Sequence, residues 1–125
     1  MTLPYVLLVE DNETNQMLTM AVLQRDGYRV EVAGTADEAL AVLKAGRPDL
    51  ILMDVQLPGK DGLALTRALK KNPDTASIPV VAMTAHAMSG DEALALAAGC
   101  AGYIAKPIDT RSLGDEVRRH LGVTR

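Results

Sequence analysis

Five side chains of this 125-residue sequence stand directly after short apolar runs, and together they make a set suited to phosphoryl chemistry. Val6-Leu7-Leu8-Val9 leads into Glu10-Asp11, and Leu50-Ile51-Leu52-Met53 leads into Asp54. Ile78-Pro79-Val80-Val81-Ala82-Met83 leads into Thr84, and Gly102-Tyr103-Ile104-Ala105 into Lys106. Three carboxylates gathered on one rim repel strongly. A hard divalent cation is the simplest relief, and Mg2+ suits one or two carboxylates, retained waters and a phosphoryl oxygen. A carboxylate beside such an ion can attack phosphorus and form an acyl phosphate. Lys106 and the Thr84 hydroxyl would then offset charge on the transferring oxygens. Asp54 is the expected nucleophile, because it follows the central run and precedes the turn residues Pro58-Gly59. Glu10 and Asp11 are the metal-side acids, and the small Ala85 leaves the pocket open.

These residues meet only if the runs are neighbouring parallel strands. The runs at 6–9, 50–53 and 78–83 are continuously apolar, as strands covered on both faces must be. A further run, Tyr28-Arg29-Val30-Glu31-Val32, alternates polar and apolar and reads as an edge strand. Between the runs lie helical patterns. Thr35-Ala36-Asp37-Glu38 and Ser89-Gly90-Asp91-Glu92 both fit a capping box, and Gly46 ahead of Arg47-Pro48 reads as a stop. Ala36, Ala39, Leu40 and Leu43 share helical spacing, Asp61 can cap a helix carrying Leu65, Ala68 and Leu69, and the first helix, about Thr14 to Asp26, carries Met17, Met20 and Ala21. Leu113, Val117 and Leu121 mark the last helix, which Gly114 weakens. Five β-α units in succession predict an α/β fold: a flavodoxin-like (βα)5 three-layer sandwich with a parallel five-stranded sheet of order 2-1-3-4-5. In such sheets ligands sit beyond the carboxyl ends of the strands, where the five side chains lie.

Composition bounds the rest. The chain has room for one domain, residues 1–125. Its 13 Lys+Arg against 16 Asp+Glu, with no basic cluster, argue against a nucleic-acid or anionic-membrane binder. The single cysteine, Cys100, excludes an internal disulfide framework and is expected as a small buried hydrophobe. His86 and His120 are too few for a zinc site without acidic help. With no membrane-length apolar run and no basic leader, a cytoplasmic location is expected.

At this point the sequence resembles the receiver domains of response regulators in two-component and phosphorelay systems. The matching segments are Val9-Glu10-Asp11-Asn12, Leu52-Met53-Asp54-Val55-Gln56-Leu57-Pro58 with Asp61-Gly62, Val80-Val81-Ala82-Met83-Thr84-Ala85, and Tyr103-Ile104-Ala105-Lys106-Pro107. They run in order across residues 5 to 121. The wording around Gln56, His86-Ala87-Met88, Gly90-Asp91-Glu92 and Gly99-Cys100 is most similar to phosphorelay receivers and stand-alone cell-cycle regulators of the DivK type. The resemblance implies that Asp54 takes phosphate from a phosphohistidine on a histidine kinase or phosphotransfer protein. It implies Mg2+ held by Asp11, Asp54 and the Gln56 carbonyl, with Glu10 acting through water. Thr84 and Tyr103 become a switch pair, and Lys106-Pro107 a cis peptide, which proline makes physically accessible. Such a chain catalyses only its own phosphotransfer and slow autodephosphorylation. It is expected to act as a monomer on a downstream protein, through the face of the fourth helix, fifth strand and fifth helix, where 88–98 is rich in Ala and Leu. No DNA-binding output domain is expected to follow.

Plainer readings stand beside these. Glu10-Asp11 taken singly reads equally well as a solvated turn with a helix cap, and Asp54 as the cap of a turn. Tyr103 alone reads as a packing residue of an edge strand. His86 either borders the phosphoryl site or is an ordinary loop histidine. Asn15, Gln16 and Val22, with Pro107 and Ile108, are candidates for the face that meets the phosphodonor. A phosphohydrolase of the haloacid dehalogenase type would place a second Asp two residues after the nucleophile, where this chain has Gln56. A nucleotide carrier needs a phosphate-cradling loop after the first strand, where Glu10-Asp11-Asn12-Glu13 would repel the ligand. A phosphorylation-independent scaffold would have no need of Asp54, Thr84 and Lys106 together.

Overall fold

The computed structural model of the chain describes residues 3–57, 60–84 and 91–121. Strands β1 (Tyr5–Val9), β2 (Arg29–Ala33), β3 (Leu50–Asp54), β4 (Val80–Thr84) and β5 (Gly102–Ala105) alternate with helices α1 (Glu13–Arg25), α2 (Ala36–Ala45), α3 (Gly62–Lys71), α4 (Asp91–Ala98) and α5 (Leu113–His120). The sheet order is β2-β1-β3-β4-β5, parallel throughout, as the alternation of runs and helices predicts. A two-residue antiparallel pairing of Gln56-Leu57 with Lys60-Asp61 is an addition the apolar runs do not announce.

Alternation of side chains along each strand divides the core into two layers. Leu7, Val9, Ile51, Met53, Val80 and Ala82 meet residues of α2, α3 and α4, among them Ala39, Leu65, Leu69 and Ala95. Val6, Leu8, Leu50, Leu52, Val81, Met83 and Ile104 meet Val22 and Leu23 of α1 and Leu113 and Val117 of α5. All of β1, β3 and β4 is buried, which is why those runs carry no polar face. Each fully buried Leu, Ile, Val or Met in them is worth about 1.5–3 kcal/mol. β2 is the edge strand expected, with Arg29 and Glu31 turned to solvent.

Local chemistry sets the helix starts. Asn12 caps α1, its side chain accepting from Asn15 N at 2.9 Å. Thr35 Oγ1 accepts from Glu38 N at 3.1 Å, while Glu38 Oε1 reaches past the cap to Gly34 N at 2.9 Å. Asp61 caps α3 through Leu63 N at 2.9 Å. The Ser89 capping box and the turn at Pro58-Gly59 lie outside the described residues, as do Ala85, His86 and the start of the 88–98 segment.

Two expectations need correction. The buried stripe of α1 is Thr19, Val22 and Leu23, whereas Met17 is 67% exposed and Ala21 faces solvent. Helical spacing identifies a stripe of side chains, but the position of the sheet decides which stripe is covered. Gly114 is a close-approach residue and no mere weakness of α5. A Cβ there would run into the Asp26 side chain, and the Gly114 carbonyl accepts from the Tyr28 hydroxyl at 2.8 Å.

Candidate functional site

The carboxyl ends of β1, β3 and β5 place Glu10, Asp54 and Lys106 around one point. Lys106 Nζ lies 2.9 Å from Glu10 Oε1 and 3.1 Å from Asp54 Oδ2. The second oxygen of each acid is held by backbone: Asp54 Oδ1 accepts from Gln56 N at 3.0 Å, and Glu10 Oε2 from Asn12 N at 3.3 Å. Glu10 and Asp54 are buried, at 1% and 4% exposure, while Asp11 faces solvent. One carboxylate oxygen from each of Glu10, Asp11 and Asp54 lies within 4.8 Å of the others.

The packing holds this arrangement in place. Gly62 opens α3 directly behind the end of β3, so close that a Cβ would overlap the Asp54 carbonyl. Lys106 is anchored by its own N–H, which donates to Thr84 O at 2.8 Å, and the Lys106-Pro107 peptide is cis, as expected. Thr84 is buried at the end of β4. Across the β4–β5 register Ala82 pairs with Tyr103 and Thr84 with Ala105, so Thr84 and Tyr103 occupy the same face of the sheet. Tyr103 is half-buried against the core layer under α2–α4.

Electrostatics follow from burial and proximity. Burial, then the neighbouring Asp54, raises the Glu10 pKa above its ordinary 4.5, and the Lys106 ammonium only partly opposes them. Burial alone would lower the Lys106 pKa, but its bonds to Glu10 and Asp54 outweigh that and hold it above 10.5. A cluster of hard oxygen donors with one solvent-facing carboxylate fits a cation that keeps part of its water shell.

The structure thus brings together Glu10, Asp11, Asp54 and Lys106, with the Gln56 backbone beside Asp54 and Thr84 on the adjoining strand. It separates the candidates for the donor-facing surface. Val22 is buried in the core, and the Gln16 side-chain amide turns inward to the Glu10 carbonyl. Asn15, Pro107 and Ile108, with Leu18, Thr19 and Met83, line a hollow of about 280 Å3 that opens onto Glu10 and Lys106. Sequence reasoning missed Gly62 as a support of Asp54. A glycine opening a capped helix just after a strand is the signal that marks it.

Residues 6–118 match the family model of the response regulator receiver domain, and the chain belongs to that family. It is 42% identical over 117 residues to the polar-differentiation response regulator DivK of Brucella anthropi, covering 94% of this chain and 95% of that protein. The receiver domain of the sensor histidine kinase PA1611 from Pseudomonas aeruginosa superimposes with a TM-score of 0.87 at 36% identity, covering 97% of this chain and 99% of that one. It was crystallised with a magnesium ion coordinated in its active-site cleft. The chemotaxis response regulator CheY4 of Vibrio cholerae superimposes with a TM-score of 0.88 at 28% identity, covering 94% and 98%. Receiver domains are the phospho-accepting modules of two-component signalling, bind Mg2+ at an acidic pocket and interact with histidine kinases and phosphotransfer proteins. Among the described residues no helix is long and apolar enough to cross a membrane.

Proposed function

We propose that this chain accepts a phosphoryl group on Asp54 from a phosphohistidine and passes the signal on by changing what it binds. One observation carries the reading: buried Asp54 is held by Lys106 Nζ on one oxygen and by Gln56 N on the other, beside Glu10 and Asp11. An Asp54 oxygen attacks phosphorus and the phosphorus–nitrogen bond breaks. The electron pair leaves with the imidazole nitrogen, which takes a proton from solvent. Asp11, Asp54 and the Gln56 carbonyl would hold Mg2+, with Glu10 acting through water. When bound, the ion supplies positive charge beside the phosphoryl oxygens. Lys106 releases part of its contact with Asp54 to meet those oxygens, and the Thr84 hydroxyl donates to one of them.

The exposed Leu18 and Met17 on α1, with Pro107 and Ile108 beside the hollow, suit the helix of a phosphodonor. For readout, Thr84 moves toward the phosphoryl group and Tyr103 turns inward, altering the α4–β5–α5 face, where Leu94 and Leu96 stand exposed. The chain acts there as a monomer in the cytoplasm, catalysing only its own phosphotransfer and slow autodephosphorylation.

Intact mass after incubation with a small acyl-phosphate donor tests this. A single phosphate adduct that requires Mg2+ and disappears in Asp54→Asn is the expected result. No adduct from that donor or from a phosphohistidine protein would favour a scaffold that works without phosphorylation.

A further inference from the structure

We propose that Gln16 is a positioning residue for the metal ion, acting from α1 on the Glu10–Asp11 peptide; the inference rests on the Mg2+ site described above. Its origin is a gap at the end of the sheet. Glu10 N donates to Ala33 O at 3.0 Å, the last rung between the first two strands. In a parallel ladder the next rung would bring the Thr35 N–H to the Glu10 carbonyl. The chain instead turns at Thr35, the cap of α2, and β2 ends at Ala33. The preceding N–H, that of Gly34, is taken by Glu38 Oε1. A buried carbonyl without a partner is costly, and the Gln16 side-chain amide, one turn into α1, donates to it.

That bond sets the plane of the peptide joining the two acids. On one side of it hangs Glu10, whose carboxylate is gripped by Lys106. On the other hangs Asp11, which faces solvent and, among the described residues, has no hydrogen-bond or ion-pair partner for its carboxylate, so its position follows from its backbone. Freeing the plane lets Asp11 swing away from Asp54, while the core beneath stays packed. Partners that orient metal ligands without touching the ion commonly govern affinity in this way.

The test is an NMR titration of the full-length chain with Mg2+ alone, comparing wild type with Gln16→Met, which keeps the side-chain length and loses the donor, and Gln16→Glu, which can only accept. In the metal-free wild type, one Gln16 side-chain amide proton should resonate downfield of the exposed glutamines. Both variants should need on the order of 10-fold more Mg2+ for half-saturation, reach similar end-point shifts and unfold at a somewhat lower midpoint without metal, because the Glu10 carbonyl loses its partner. Unchanged half-saturation in either folded variant overturns the proposal, as does a loss confined to the unfolding midpoint. A wild type that shows no saturable response instead overturns the Mg2+ reading of the site itself, so the two failures are told apart.

Discussion

Lys106 Nζ lies 3.1 Å from Asp54 Oδ2, and the same ammonium reaches Glu10 at 2.9 Å, so one cation ties the ends of three strands. The cation does not fully offset the acids it joins. Glu10 remains harder to ionise than an ordinary carboxyl group, through burial first and Asp54 second.

Glu10→Gln should therefore stabilise the protein at neutral pH without metal. A folded-state pKa raised above 4.5 means that the folded protein binds more protons than the unfolded chain over that interval. The stabilising contribution is present below 4.5 and is lost as pH rises through the folded value. Urea unfolding at pH 7 should show the variant ahead of wild type, the gap closing toward pH 4. With millimolar Mg2+ the order should reverse, because metal binds the folded wild type. A variant less stable than wild type at pH 7 without metal would refute this.

Gly62→Ala should be damaging although alanine is the better helix former. The added Cβ meets the Asp54 carbonyl, a backbone atom with no freedom to swing aside. A loss at or above the upper end of about 1–3 kcal/mol is expected in urea unfolding, with a weaker phosphate adduct at Asp54.

Gly114→Ala sets two effects against each other. Helix propensity favours alanine by about 1 kcal/mol, while overlap with the Asp26 side chain costs about 1–3 kcal/mol. A net loss near 1 kcal/mol is expected. In an Asp26→Ala background the same change should become neutral or stabilising, and a double-mutant cycle measures the coupling.

Cys100 should be inert in the folded protein. Burial pushes its thiol pKa up, only partly opposed by Thr66 and Lys70, and the residue is 6% exposed. A thiol-specific reagent at neutral pH should label it fast in urea and slowly in buffer. Equal rates would show that this corner opens readily.

Much of the site is legible in sequence because of one regularity. Glu10 and Asp11, Asp54 and Thr84 each stand at the end of a run with no polar face, as a parallel strand covered on both faces must have. Residues just beyond the carboxyl ends of such strands share a rim. The α1 helix shows where that reasoning stops. Met17, Met20 and Ala21 keep helical spacing as well as Thr19, Val22 and Leu23 do, yet only the second set is fully buried; Met17 and Ala21 face solvent and Met20 is half-buried. Gln16 and Val22 were both legible as donor-facing candidates, and both turn inward, one to a carbonyl left open by β2 and the other to the core.

The sequence by itself determined the strand order, the edge position of β2 and the set Glu10, Asp11, Asp54, Thr84 and Lys106, because strand periodicity and helix caps are local and leave their mark within a few residues. Only the tertiary structure decided that Lys106 grips two acids, that Gly62 and Gly114 are needed for close approach, and which face of α1 is buried. Those depend on distances between segments far apart in the chain. Such distances are set by how the layers pack, which no local pattern encodes.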